Sequence, residues 1–140
     1  MDQTFRDEMA AGYALAESEP AIIIGSPMLD GEVDNDARIQ LARSMLNRHG
    51  LIAGATGTGK TKTLQLLAGQ LSQAGVPVFI SDIKGDVSGM AAPGDPTNPK
   101  IQERAASLNW TFEPAGHPVE FLSLSGALGA QVRATVHSFG

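Results

Sequence analysis

The chain has 140 residues, the size of one domain, and is 42% hydrophobic and 18% charged, which excludes a disordered polymer. It has no cysteine, so disulfides, thiolate zinc sites and cysteine nucleophiles are ruled out. The net charge of −5 argues against a broadly basic nucleic-acid surface, though backbone N–H groups bind phosphate without net positive charge.

The N-terminus carries acids and no apolar stretch, so it is not a signal peptide, and the apolar run Ile22-Ile23-Ile24 is far too short to span a bilayer. These features predict a soluble, cytoplasmic protein without a membrane partner. Phe5, Met9, Ala10 and Tyr13 recur at helical spacing behind Thr4 as a cap, predicting a helix over residues 5–16 that ends before Pro20. Residues 21–25 read as a short buried strand and residues 26–36 as a polar turn. Residues 37–46 fit a strand through Ile39 and Leu41 nearly as well as a helix, and both readings stand. Residues 49–53 form an apolar run predicted as a strand. From Lys60 the period changes, with Leu64, Leu67, Ala68 and Leu71 on one helical face and Gly75 as its C-terminal stop. Residues 76–81 are predicted as a strand with Pro77 near its start. A proline-rich loop over residues 91–99 follows, and Asn98 and Pro99 open a helix through Leu108. Residues 119–124 and 131–136 complete the strands. The alternation predicts an α/β fold with a largely parallel sheet.

The joint between the run at 49–53 and the following helix carries the chemistry. Gly54-Ala55-Thr56-Gly57-Thr58-Gly59-Lys60-Thr61 fits G-x-x-x-x-G-K-[ST], the phosphate-binding loop. Glycines at those positions let successive N–H groups point inward at phosphate oxygens. Lys60 has the reach for the β- and γ-phosphates of ATP, the Thr61 hydroxyl can ligate Mg²⁺, and the helix N-terminus adds a favourable dipole. The bland alternative is a glycine turn with an incidental lysine, which the flanking strand and helix signals disfavour.

Two other motifs fail. A dinucleotide fingerprint needs a third glycine where Lys62 stands. Asp30, Glu32, Asp34 and Asp36 alternate like calcium ligands, but Asn35 and Leu41 occupy the positions that require glycine and glutamate, so a solvated acidic turn is expected. Asp82-Ile83-Lys84-Gly85-Asp86 follows the run at 76–81. An acid at the carboxyl end of a strand stands where an open α/β sheet binds ligands, which makes Asp82 a candidate for the metal or the attacking water. A plain turn is the competing reading, since Lys-Gly-Asp is ordinary turn chemistry.

Residues 49–61 and 75–86, with the phosphate loop in the first and Asp82-Ile83-Lys84-Gly85-Asp86 in the second, together resemble bacterial HerA-like ATPases of the HerA/FtsK group of DNA-pumping motors. The likeness is strongest over residues 47–90. It implies a partial RecA-like P-loop NTPase core over residues 37–140 preceded by a small unit over residues 1–36, with ATP and Mg²⁺ as cofactors. It also implies a hexameric ring and a DNA-linked role. Lys60 and Asp82 carry over as catalytic candidates, residues 54–61 as the nucleotide loop, and Thr61 and Asp82 as metal ligands. Family members run to several hundred residues, with an acidic strand, a sensor residue and an arginine finger further on, so the resemblance implies that this sequence corresponds to the N-terminal part of a motor. Ser138 occupies a place where an acid would be expected.

The other candidates read as structural. His49, His117 and His137 lack ligand spacing, Trp110 and Phe112 alternate at packing distance, and Arg104 and Arg133 read as surface arginines. A HerA-like ATPase and a non-catalytic nucleotide-binding or partner module both fit the sequence.

Overall fold

In a computed structural model, the structure describes residues 2–133. The expected positions His137 and Ser138, and residues 134–136 of the strand expected over 131–136, lie outside the described residues. Helix α1 spans Gln3–Gly12, and its N-cap is Asp2, not Thr4: the Asp2 carboxylate accepts from Thr4 N at 3.4 Å. Strand β1, Ala21–Gly25, pairs antiparallel with β4, Ile39–Ala42, placing Ile22 opposite Leu41 and Ile23 opposite Gln40. The stretch at 37–46, whose pattern fits either element, therefore begins as a strand, and a 3-10 turn at Arg43–Met45 ends it.

The expected polar turn at 26–36 is a hairpin. Strands β2, Met28–Leu29, and β3, Glu32–Val33, are joined by Asp30 and Gly31, both at positive φ, 51° and 83°. This is the two-residue turn whose twist matches paired strands, and Asp-Gly is its sequence signal. Nor is the acidic stretch uniformly solvated: Asp34 is buried, its N–H donates to the Pro27 carbonyl at 2.9 Å, and its carboxylate lies 3.5 Å from Arg6 of α1. That pair fastens α1 to the hairpin.

Helix α2, Lys60–Gln73, packs on β1 with Ala68 and Gly69 buried. Its end is a Schellman motif: Gly75 at φ 78° lets Gly75 N donate to Ser72 O and Val76 N to Leu71 O, both at 2.9 Å. Helix α3, Pro99–Ser107, starts as expected, with Asn98 accepting from Lys100 N at 3.0 Å and Pro99 in the first turn. Strands β5, Leu122–Ser123, and β6, Ala130–Gln131, form a short parallel pair. So tight a parallel return is possible because Gly129 sits at φ 80°, where a Cβ would overlap the Phe121 carbonyl.

The fold is thus mixed α/β. The expected largely parallel sheet is not formed among the described residues: there are three two-stranded sheets, and only β5–β6 is parallel. Residues 49–53 and 76–81 are irregular, and Leu51 and Phe79 stand 90% and 82% exposed. An apolar run specifies a wish for burial, whereas a strand also needs a neighbour to accept its ladder of hydrogen bonds, and Pro77 withholds one donor. The innermost apolar residues are Ile22 of β1, Ala68 of α2 and Leu108 at the end of α3.

Candidate functional site

The loop over residues 54–61 enters α2 through two left-handed glycines, Gly57 at φ 82° and Gly59 at φ 96°. Side chains rarely adopt those angles, which explains glycine at both positions. Gly59 is the N-cap of α2 and supplies no side-chain acceptor to the first helical turn. A helix start without a side-chain cap leaves its N–H groups for solvent or an anion.

The loop is gathered around one atom, the Ala55 carbonyl oxygen. Lys60 Nζ donates to it at 2.6 Å and Thr58 Oγ1 at 2.8 Å. The ammonium group therefore lies folded over the loop at the head of α2. Thr63 supports the same joint from the helix side, its backbone N–H donating to Gly59 O at 2.9 Å and its hydroxyl at 3.2 Å. Residues 54–58 are exposed, while Gly59, Lys60 and Thr61 are half-buried. The loop is an open surface feature. Two hollows of about 310 and 460 Å³ lie elsewhere, under Trp110 and between α1 and residues 34–40.

Asp82 stands on a separate turn. Its carboxylate accepts from Lys84 N at 3.2 Å, Gly85 N at 2.9 Å and Val87 N at 2.8 Å. The Val87 bond is the main reason that the carboxyl is held below its usual range, and the amides of Gly85, Lys84 and Asp86 add to it. Ser88 Oγ closes the turn by donating to Gly85 O at 2.8 Å. The structure brings Lys60, Thr58 and Ala55 together, and it directs the Asp82 carboxylate to its own turn. Among the described residues no group of three or more His, Cys, Asp or Glu is placed to hold a metal by itself.

Two side chains that sequence reasoning passed over tie these parts to the rest of the molecule. Gln70 makes a double bond to one residue of β1: Ile23 N donates to Gln70 Oε1 at 2.9 Å, and Gln70 Nε2 donates to Ile23 O at 2.8 Å. The carboxamide takes the place of a strand neighbour. Gln65 Nε2 donates to Asp86 O at 2.8 Å. The only signal for either was position, since Gln70 falls four residues after Leu66 on a half-buried face and Gln65 four after Thr61.

Trp110 and His117, both read as structural, make contacts within the fold. The Arg38 guanidinium lies 5.5 Å from the Trp110 ring centre, and Arg38 Nη1 donates to Asn35 O at 2.6 Å. His117 N donates to Met90 O at 2.9 Å, and its ring lies so near Gly69 that a Cβ there would stand 3.0 Å from Nε2.

A comparison with known families decides the relationship. The family described as Helicase HerA-like C-terminal matches residues 28–140, most of the chain. The chain belongs to this HerA-like family. The match begins at the β2–β3 hairpin and takes in both the loop at 54–61 and the Asp82 turn. No curated protein matches the chain, and no solved structure does. No helix among the described residues is long and apolar enough to cross a membrane.

Proposed function

We propose that this HerA-like chain binds ATP with Mg²⁺ through residues 54–61 and takes part in ATP hydrolysis by a DNA-translocating motor. The observation that carries the reading is the Lys60 ammonium folded over a loop with two left-handed glycines at an uncapped helix start. An anion at that helix start meets N–H groups and a lysine together, and Lys60 would exchange the Ala55 carbonyl for a distal phosphate. Thr61 in the first turn of α2 would hold Mg²⁺, which keeps several waters and takes its other ligands from phosphate. The small donor set fits a metal that arrives with the nucleotide. Asp82 would act on the metal or the water, with its turn amides holding the carboxylate ionised. The fold proposed for residues 37–140 is a P-loop NTPase core, with residues 1–36 as a smaller unit joined to it by the β1–β4 pair. DNA and other copies of the chain in a ring are the proposed partners, and the cytoplasm the proposed location.

Calorimetry on the wild type and Lys60→Ala tests the reading. ATP should bind more tightly with Mg²⁺ than without it. The substitution should weaken ATP about tenfold or more while leaving AMP nearly unaffected, since Lys60 addresses the distal phosphates. Equal losses for both nucleotides would remove Lys60 from that role, and a folded wild type that binds neither would overturn the reading. The engagement of the Asp82 carboxylate by its own turn favours one other reading, a module that binds nucleotide without turning it over. ATP hydrolysis measured with and without DNA separates the two.

A further inference from the structure

One side chain of α2, four residues beyond Thr61, bonds the Asp82 turn from outside. Gln65 Nε2 donates to Asp86 O at 2.8 Å, and Gln65 Oε1 accepts from Lys62 Nζ at 3.0 Å. Both ends of the carboxamide are used, and a flip would set its oxygen against the Asp86 carbonyl, so its orientation is fixed by its partners. Gln65 follows Thr61 by four residues on α2, which puts the two on one face with their Cβ atoms about 5–6 Å apart. The turn is held from within by bonds among exposed residues, the Asp82 carboxylate accepting from Lys84, Gly85 and Val87 and Ser88 Oγ donating to Gly85 O, so its order also depends on bonds from outside.

We infer that Gln65 is a positioning residue, which sets the Asp82 turn relative to Thr61 and so couples Mg²⁺ binding at Thr61 to the order of that turn. The inference rests on the nucleotide reading above and adds a residue to it. Thr61 and Asp82 stand on separate segments, so their relative setting depends on contacts between α2 and the turn, and the Gln65–Asp86 bond is such a contact. Residues that orient metal ligands without touching the metal typically matter about 10–100-fold in affinity.

The test uses the full chain as wild type, Gln65→Glu and Lys62→Ala. Glutamate keeps the shape and an acceptor for Lys62 but cannot donate to Asp86 O. Lys62→Ala keeps the donor and removes only the brace. Two quantities are read: amide exchange at Lys84, Gly85 and Val87 without ligand, and ATP affinity with and without Mg²⁺. In Gln65→Glu, exchange at those amides should accelerate several-fold, and the gain in ATP affinity on adding Mg²⁺ should shrink about tenfold. ATP affinity without Mg²⁺ and the melting temperature should stay at wild-type values. Lys62→Ala should show the same pattern more weakly. Unaltered exchange with an unaltered Mg²⁺ gain would overturn the inference while leaving the nucleotide reading intact. So would parallel losses in Mg²⁺-free affinity and melting temperature, which mark a merely structural side chain. A wild type that binds no ATP under either condition overturns the nucleotide reading and the inference with it.

Discussion

At the scale of single residues, charge is settled locally. The Asp82 carboxyl is held below its usual range first by the Val87 amide and then by those of Gly85, Lys84 and Asp86, against the opposing effect of burial. A carboxyl whose pKa is lower in the folded state stabilises the fold above its unfolded pKa, and that contribution is lost as pH falls through the folded value. Amide protection at Lys84, Gly85 and Val87 should therefore hold at neutral pH and fade on acidification below about pH 4, the ordinary carboxylate range. In Asp82→Asn one oxygen becomes an N–H donor, so the Val87 bond is lost and the acid-dependent loss of protection disappears. Exchange measured between about pH 3 and 7 on both proteins checks this, and an unchanged profile in the variant would place the titrating group elsewhere. At this scale the sequence was partly legible. Gly57 and Gly59 announced their own geometry, because glycines at that spacing permit left-handed angles, whereas the bond from Lys60 to the Ala55 carbonyl was not foreseen. The burial of Asp34 beside Arg6 was not announced, since the partner lies on another element and nothing local names it.

At the scale of elements, the helix ends and β1 were legible, whereas the strands expected at 49–53 and 76–81 do not form. Asn98-Pro99 and Gly75 mark the start of α3 and the stop of α2 with local chemistry, and both stand where the residues say. The runs at 49–53 and 76–81 have strand composition, but pairing is a property of two segments, and each run carries information on one alone. The Asp30-Gly31 turn was a local signal, hidden beneath the reading of the stretch as acidic and solvated. The chief joint between elements is the pair of bonds from Gln70 to Ile23. Gln70→Met keeps the length of the side chain and removes both bonds, leaving a backbone N–H and C=O of β1 half-buried without partners. The expected cost is about 1–2 kcal/mol, allowing for partial access of water. Denaturant titration should show the midpoint falling with an unchanged slope. An unshifted midpoint would mean that Ile23 finds other partners when α2 loses its carboxamide.

At the scale of the whole molecule, much apolar surface faces water. Leu51, Phe79, Ile83, Leu124 and Leu128 are each at least 80% exposed. Leu122 and Val132 are exposed as well. Exposed large apolar side chains in this number favour association and dye binding. Leu51→Ser with Phe79→Ser should lower the fluorescence of a hydrophobic dye and leave the melting temperature unchanged, because these side chains contribute contact to nothing inside. A fall in melting temperature would show that they are packed in solution. The family could be named from sequence because its marks are short and contiguous, whereas the extent of the sheet depends on pairings that no contiguous stretch encodes. The Gln70 clamp also governs the aim of a side chain well away from it. An α-helix turns about 100° and advances about 1.5 Å with each residue, so two hydrogen bonds to one strand residue fix both its rotational phase and its axial setting. Lys60 lies ten positions earlier on the same rod, about 15 Å along the axis. The direction in which its ammonium points is thus dialled in by β1, and a slip of α2 by one residue would swing it away from the Ala55 carbonyl.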